Sequence, residues 1–270
     1  MVEREAPTQA AGDSVFVDAN GLRLHFLDYG DRAKPPLVIV PGITSPAITW
    51  EFVALELAPD RRVLTMDVRG RGLSDVGSSF TLGDYAGDLA AALPALGLER
   101  PAILGHSMGA RIAAAFGAAH PQLRGPLIIA DPPLSGPGRP PYPTPLEPFL
   151  ESIRQARDGA TADDMRPYFP TWTDEQLALR AAWLATCDPT AVAATHRLFH
   201  EEDFFEHWPR LAAPTLFVWG GASPVVGEAG AAEVAAANRD AEVVELPNAG
   251  HMLPWDDLDG FLDIVRRFLR

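Results

Sequence analysis

A serine flanked by two glycines constrains this chain more than any other feature. Ser107 stands in the heptapeptide Leu104–Ala110 (LGHSMGA), with Gly105 two residues before it and Gly109 two residues after it. A short apolar run precedes the motif and an alanine-rich run follows it, which predicts a strand, a turn and a helix. The turn is too tight for side chains at the flanking positions, so the serine must adopt a strained backbone conformation. The spacing therefore predicts a nucleophile whose hydroxyl projects from the edge of a sheet.

Strand and helix patterns alternate along most of the chain. Asn20-Gly21 separates two segments of alternating polarity, as the turn of a hairpin would. Continuous apolar runs then predict strands that are buried on both faces, with helical patterns between them. The strands predicted after the hairpin are 37–40, 63–66, 101–104, 126–130, 214–219 and 242–246. This order is typical of a mostly parallel sheet, here of eight strands, with helices on both faces.

The alternation stops after the sixth predicted strand. Eight prolines occur in the stretch 131–148, which argues against a regular element there, and helical patterns then continue to Trp208. We predict a core of residues 1–133 and 209–270 and a helical lid of residues 134–208, all in a single structural unit. Because the insertion follows the ends of strands, it is placed to cover the serine.

The charge balance argues against two classes of partner. The chain has 22 basic and 36 acidic residues and a net charge of −14, which disfavours binding to nucleic acid and to anionic membranes. A small anionic substrate is not excluded, because such a ligand responds to the local field of its pocket. The composition leaves open whether the protein is a monomer or a homo-oligomer.

Two features bear on the compartment in which the protein works. The segment Met1–Ala11 lacks the basic start and the apolar run of a signal peptide, and no apolar stretch reaches transmembrane length. A single cysteine, Cys187, excludes an internal disulfide framework and is typical of a reducing compartment. These features predict a soluble, cytoplasmic protein.

A serine hydroxyl needs a base within hydrogen-bond reach, and one of the seven histidines is suitably placed. His251 follows the last predicted strand, on the same edge of the sheet as Ser107. His106 is adjacent to the serine, so its side chain should point away from the hydroxyl. His196 and His200 could share one helix face, but no H-E-x-x-H motif is present. We therefore predict His251 as the base, no metal site and no cofactor.

The acid that orients this base is predicted at the end of the strand before the insertion. The more common position, the loop 219–224 after the following strand, contains no carboxylate. Asp131 keeps the order serine, aspartate, histidine along the chain, although it could also be a turn residue before a proline. Asp67 ends a strand too, but the arginine- and glycine-rich turn after it favours a structural role. The predicted triad is Ser107, Asp131 and His251.

An oxyanion formed at the serine would need two preorganised backbone donors. The N–H of Met108, directly after Ser107, is one of them. The N–H of Ile43, after the third predicted strand, is the other, and Gly42 lets that backbone approach closely.

These motifs occur together with several longer characteristic stretches. The stretches are Val40–Trp50, Asp67–Ser74, Gly105–Arg111, Asp131–Arg139, Asp174–Arg180 and Asn248–Gly260. The serine motif, the Asp-x-Arg-Gly-x-Gly-x-Ser stretch and the late Gly-His pair resemble the α/β-hydrolase superfamily. The longer stretches resemble the N-formylmaleamate deformylases of bacterial nicotinate breakdown. The first dozen residues and residues 220–240 match least.

The resemblance carries expectations about fold and chemistry. It implies an α/β-hydrolase fold with a lid after the sixth strand, and its acid also falls on Asp131. It implies a metal-independent amidohydrolase that converts a small anionic amide, N-formylmaleamate, into maleamate and formate. Ser107 would attack the formyl carbon and form a formyl-enzyme, with His251 as base.

A carboxylate on the substrate would need a cation or hydroxyl donors in a pocket closed to water. The predicted substrate-binding residues are Gly42, Thr44, Ser45, Arg139 and Trp172. Arg111, in the helix after the serine, is a further candidate. Each arginine could equally be a solvated cation, and aromatic residues at helical spacing more often pack between helices.

Two other functions remain open. A carboxylesterase or carbon–carbon bond hydrolase would use the same triad and would hydrolyse simple esters without a substrate carboxylate. A non-catalytic ligand receptor would bind its ligand tightly even after Ser107→Ala. A haloalkane dehalogenase or epoxide hydrolase is disfavoured, because these enzymes need a carboxylate nucleophile where the chain has a serine.

Overall fold

The structure is a computed structural model, and it describes residues 9–270. The segment Met1–Ala11, for which no signal peptide is predicted, lies mostly outside the described residues. Within the described range, no helix is both long enough and apolar enough to cross a membrane.

An eight-stranded sheet forms the centre of the fold. Its strands are β1 (Asp13–Ala19), β2 (Leu22–Tyr29), β3 (Pro36–Val40), β4 (Arg62–Asp67), β5 (Ala102–His106), β6 (Leu127–Ala130), β7 (Thr215–Gly220) and β8 (Glu242–Leu246). The spatial order is β1-β2-β4-β3-β5-β6-β7-β8. β2 runs antiparallel to both of its neighbours, and all other neighbouring strands are parallel. This confirms the predicted mostly parallel sheet and places the carboxyl ends of β3, β5, β6, β7 and β8 at one edge.

Helices cover both faces of the sheet. They are α1 (Glu51–Leu57), α2 (Leu82–Ala95), α3 (Met108–Ala119), α4 (Leu146–Arg157), α5 (Ala162–Met165), α6 (Asp174–Leu184), α7 (Pro189–Glu201), α8 (Gly227–Ala237), α9 (Leu253–Asp256) and α10 (Leu258–Phe268). α1 and α10 contribute to the apolar core on one face, and α2, α3 and α8 contribute to the core on the other. Alternate residues of β3 divide between these cores: Leu37 and Ile39 face one, Val38 and Val40 the other. This explains the continuous apolar pattern of the strand.

Four helices, α4 to α7, lie between β6 and β7. The proline-rich residues before α4 form neither helix nor strand, as predicted. This insertion is tied to the core at α7, where Thr195 accepts a hydrogen bond of 3.0 Å from Arg71. Cys187, between α6 and α7, is fully buried, and burial raises the pKa of its thiol to about 11, which keeps it protonated. The exact limits of a lid, predicted at 134 and 208, stay a prediction.

Asp67, at the end of β4, holds two turns next to the site. Its carboxylate accepts hydrogen bonds from the backbone N–H groups of Ala47 and Leu73, at 2.6 and 3.0 Å. It also accepts one from His25 Nδ1 at 2.6 Å, and His25 Nε2 in turn accepts the Ser14 hydroxyl at 2.8 Å. Asp67 therefore has the structural role that the sequence favours.

Candidate active site

Ser107 occupies a strained turn between β5 and α3. Its backbone angles are φ 55° and ψ −119°, a conformation that L-residues rarely adopt. A Cβ atom at Gly105 would lie 2.2 Å from the carbonyl oxygen of Gly109, and one at Gly109 would lie 1.9 Å from that of Val40. Side chains at these two positions would therefore push the turn away from the sheet, which is the physical basis of the sequence motif.

A chain of hydrogen bonds joins the three residues predicted as the triad. His251 Nε2 lies 3.0 Å from Ser107 Oγ, and His251 Nδ1 lies 2.7 Å from Asp131 Oδ2. A carboxylate only accepts hydrogen bonds, so Nδ1 carries the ring hydrogen and Nε2 is free to accept the serine proton. The arrangement can remove a proton from the serine and can stabilise the imidazolium that results. The catalytic roles of the three residues stay predictions.

The loop after β7 supports Asp131. The carboxylate is fully buried, and besides His251 it accepts the Ser223 hydroxyl at 2.6 Å and the Gly220 N–H at 3.2 Å. This is the loop that lacks a carboxylate of its own. It supplies two donors that satisfy the buried charge and hold it beside the imidazole. Ser223 was not identified from the sequence, since a serine in a loop carries no distinctive signal.

The predicted oxyanion donors belong to two segments that one arginine connects. Ile43 and Met108 are both buried, and neither N–H donates a hydrogen bond to another described residue. Arg71, which is fully buried, donates through Nε to the Ile43 carbonyl at 2.9 Å. Its Nη2 lies 3.7 Å from Met108 Sδ. Arg71 therefore fixes the loop after β3 relative to the start of α3, a role that the sequence did not reveal.

Ser107 and His251 line a cavity of about 240 Å³. The loop after β3 forms one wall with three of the predicted substrate-binding residues, Gly42, Thr44 and Ser45, and with Ile43. The helical insertion contributes further lining residues, which include Tyr142, Thr144, Phe149, Phe169 and Arg180. The insertion therefore lines the cavity together with the serine, and its role as a lid stays a prediction. The cavity is small and suits a ligand of a few carbon atoms.

Two predicted substrate-binding residues lie elsewhere. Arg139 donates from Nη1 and Nη2 to the carboxylate of Glu233, at 3.0 and 2.6 Å, and it does not line the cavity. Trp172 stacks on Trp255, with 5.0 Å between ring centroids, and lines a separate depression. Neither residue lies where the sequence predicted. The charge of Arg139 is neutralised by Glu233, and Trp172 packs the insertion against the core.

Arg111, the further candidate, also makes its hydrogen bonds outside the cavity. It is buried, and its Nη1 donates to the backbone carbonyls of Pro133 and Ser135, each at 2.9 Å. Burial lowers the pKa of its guanidinium to about 10. It holds the chain after Asp131 and does not line the cavity.

Arg180 and Tyr142 line the cavity but were not identified from the sequence. Arg180, on α6, is buried and donates from Nη2 to Thr44 Oγ1 at 2.7 Å. The Tyr142 hydroxyl interacts with the side chains of Thr144 and Ser107, while burial raises its pKa to about 12. Neither residue carries a signal in the sequence, because a helical arginine and a tyrosine in a proline-rich loop are ordinarily solvated.

His106 contacts both the backbone and the ring of His251. Its Nε2 donates to the backbone carbonyl of His251 at 2.8 Å, and the two rings are 5.0 Å apart. Burial lowers the pKa of the His106 ring to about 3, so the ring is neutral near pH 7. Its Nδ1 has no hydrogen-bond partner among the described residues. Its imidazole is directed at His251 and not at the serine hydroxyl.

His196 and His200, the pair weighed as metal ligands, serve structural contacts. His196 Nε2 donates to the Thr144 carbonyl at 2.9 Å, and His200 Nε2 accepts the Tyr142 N–H at 3.2 Å. In the part of the chain that the structure describes, no group of three or more potential ligand residues could hold a metal ion.

Comparison with known proteins gives one family. A family model described as "Alpha/beta hydrolase family" matches residues 37–264. N-formylmaleamate deformylase of Pseudomonas putida is 47% identical over 258 residues, which cover 94% of this chain and 95% of that relative.

Solved structures agree with this result. A crystal structure of an N-formylmaleamic acid deformylase from Pseudomonas putida S16 has a TM-score of 0.89 and 43% identity, and the match covers 94% of this chain and 100% of that one. The structure of E-2-(acetamidomethylene)succinate hydrolase has a TM-score of 0.79, and the match covers 96% of this chain and 99% of that one. At 22% identity, this second match concerns the fold alone. The predicted fold class and the resemblance are confirmed: the chain belongs to the α/β-hydrolase family.

Proposed function

We propose that this protein hydrolyses N-formylmaleamate to maleamate and formate, through a formyl ester on Ser107. The observation that carries the proposal is the 47% identity over 94% of the chain with a protein named for this activity. The geometry supports the chemistry, because a serine, a histidine and an aspartate are linked by hydrogen bonds beside a small cavity.

The first half-reaction forms the ester. Ser107 Oγ attacks the formyl carbon while His251 Nε2 takes the hydroxyl proton, and Asp131 stabilises the imidazolium. The oxyanion accepts hydrogen bonds from the N–H groups of Ile43 and Met108. His251 then gives its proton to the amide nitrogen as the C–N bond breaks, and maleamate leaves. This nitrogen also bears the maleyl carbonyl, so it departs more readily than the nitrogen of an ordinary amide.

The second half-reaction uses water and the same groups. His251 takes a proton from water, and the oxygen of that water attacks the formyl carbon of the ester. The second oxyanion collapses, the ester bond to Ser107 breaks, and His251 returns the proton to Oγ. Formate leaves and the serine is regenerated. The triad and the two backbone donors supply every group that these steps need, so the proposal includes no metal and no organic cofactor.

Three further features belong to the same proposal. The helices between β6 and β7 act as the lid that closes the cavity, with limits near residues 134 and 208. The partner is a small anionic amide, and the cavity volume of about 240 Å³ is consistent with it. The reaction takes place in the cytoplasm, in keeping with a single, unpaired cysteine.

The test is formate release from N-formylmaleamate by the wild-type protein and by Ser107→Ala, with a chelator present. We expect release by the wild type that falls to the uncatalysed rate in the variant, whose fold is checked by circular dichroism. A folded wild type that releases no formate but hydrolyses p-nitrophenyl acetate would refute the substrate and favour the esterase reading. Release that persists in Ser107→Ala would refute the serine mechanism.

A further inference from the structure

A buried cation in the cavity has no carboxylate partner among the described residues. Arg180 is 5% exposed, and its Nη1 and Nη2 donate to the carbonyl and to the hydroxyl oxygen of Thr44. Its Nε has no hydrogen-bond partner among the described residues. No described carboxylate lies within ion-pair distance of the guanidinium. A buried, unpaired charge is costly, so a fold that keeps one beside a cavity points to an anionic ligand.

The rest of the cavity is consistent with such a ligand. Among the described residues, the cavity lining contains no carboxylate, and Arg180 is its only arginine or lysine. The wall next to it is aromatic: the guanidinium lies 5.2 Å from the ring centroid of Phe169, and Tyr168 and Phe149 complete this side. Burial lowers the pKa of Arg180 to about 10, which leaves it protonated near pH 7. The cavity therefore presents one positive charge and an apolar surface, together with the serine.

We propose that Arg180 and the hydroxyl of Thr44 form a subsite for a carboxylate group, which selects small amides that carry an anionic leaving group. Arg180 Nε donates to one carboxylate oxygen. Thr44 Oγ1 already accepts from Arg180, so its hydroxyl hydrogen is available to donate to the other. The identity of the ligand rests on the proposed function, because maleamate is the leaving group of that reaction. Recognition of the carboxylate can nevertheless be measured without turnover.

Arg180 could alternatively have a structural role only. Its bond to the Thr44 carbonyl holds the residue after Ile43, and the loss of that bond would disturb the predicted oxyanion donor. A purely structural loss would weaken neutral and anionic ligands alike. A subsite for a carboxylate would weaken the anion selectively. The ratio of the two affinities separates these interpretations.

The test is calorimetric binding of maleamate and of maleamide, its neutral analogue with an amide in place of the carboxylate. Charge-assisted hydrogen bonds in a buried site predict that the wild type binds maleamate at least ~30-fold more tightly than maleamide, and that this ratio falls below ~3 in Arg180→Gln. Arg139→Gln, which removes an arginine outside the cavity, is the matched control and should keep the wild-type ratio. Equal weakening of both ligands in Arg180→Gln would overturn the proposal.

Two further measurements keep the proposal testable if Arg180→Gln does not fold. A wild-type ratio near one would by itself overturn the subsite. Thr44→Val should lower the ratio by ~5- to 10-fold, since it removes one neutral donor but keeps the backbone carbonyl. An unchanged ratio in this variant would also contradict the proposal.

The proposed function can fail separately from the subsite. If the wild type prefers maleamate and Arg180→Gln lacks this preference, but the wild type releases no formate from N-formylmaleamate, the subsite is supported and the deformylase activity is refuted. If the wild type releases formate but binds maleamate and maleamide with equal affinity, the subsite is refuted and the deformylase activity is supported.

Discussion

Asp131→Asn tests the proposed triad at its least obvious member. The carboxylate accepts three hydrogen bonds, from His251, Ser223 and Gly220. Asparagine offers one oxygen and one NH₂ group, so it can match only part of this set. If the NH₂ group takes the Oδ2 position, His251 Nδ1 must accept a hydrogen bond and the ring hydrogen moves to Nε2. That tautomer cannot accept the proton of Ser107.

If the NH₂ group takes the Oδ1 position instead, it faces the Gly220 N–H across the present 3.2 Å separation, and two donors oppose each other. In either orientation the imidazolium loses the carboxylate that stabilises it. We expect kcat to fall about 10³- to 10⁴-fold, which is an increase of roughly 4 to 5.5 kcal/mol in the barrier. The reaction would be followed by formate release at saturating substrate.

Ser223→Ala is the matched control for this experiment. It removes one hydrogen bond to the carboxylate but keeps the charge, so we expect a loss of no more than about 10- to 30-fold. Circular dichroism and denaturation curves would establish that both variants fold. A folded Asp131→Asn protein that retains more than about a tenth of wild-type kcat would refute the assignment of Asp131 as the orienting acid.

Three further perturbations test other parts of the structure. Tyr142→Phe removes a hydroxyl that interacts with Ser107 and that a pKa of about 12 keeps protonated, so kcat should fall ~10-fold at every pH from 6 to 9; an unchanged kcat would show that this hydroxyl has no part in the reaction. His106 has a folded pKa of about 3 against an ordinary value of 6.5, so the unfolded state binds more protons and wild-type stability should decline by about 1 kcal/mol per pH unit as the pH falls from 6.5 towards 3. Urea unfolding of His106→Asn should show a shallower decline, and equal slopes in the two proteins would contradict the burial argument. Gly109→Ala places a Cβ atom 1.9 Å from a backbone carbonyl of β3 and should cost at least ~3 kcal/mol of unfolding free energy. Gly83→Ala, where the nearest neighbouring atom is 3.6 Å away, is its control and should change stability by less than ~1 kcal/mol.

The sequence located residues whose positions follow from the order of strands. Ser107, Asp131 and His251 each follow the carboxyl end of a parallel strand, and parallel strands bring those ends to one edge. Apolar periodicity and chain order were therefore sufficient to predict that these three side chains lie close together. The glycine spacing around the serine had an equally local cause, since the clashes that forbid a side chain involve the turn and the adjacent strand.

Residues that depend on the docking of distant segments could not be predicted in this way. Arg139 resembled an anion-binding residue, but its charge is compensated by Glu233, which lies 94 residues further along the chain. Arg180 resembled a solvated helical cation, but the packing of α6 against the loop after β3 buries it on Thr44, 136 residues earlier. For the same reason, the sequence did not distinguish Arg71 from the turn residues around it. Helical periodicity indicates that a face is covered, but it does not identify the partner that covers it.

The measurement that tests the central claim most directly is the mass of the enzyme quenched with acid during turnover of N-formylmaleamate. Attack by Ser107 on the formyl carbon predicts an adduct of about 28 Da on the peptide that contains this serine, formed at the expense of free serine and lost as the substrate is exhausted. Attack on the other carbonyl would give an adduct of about 98 Da and release formamide. We expect the smaller adduct in the wild type, and in Asp131→Asn if deacylation is slowed, and no adduct in Ser107→Ala. The larger adduct, or an adduct on any other residue, would contradict it.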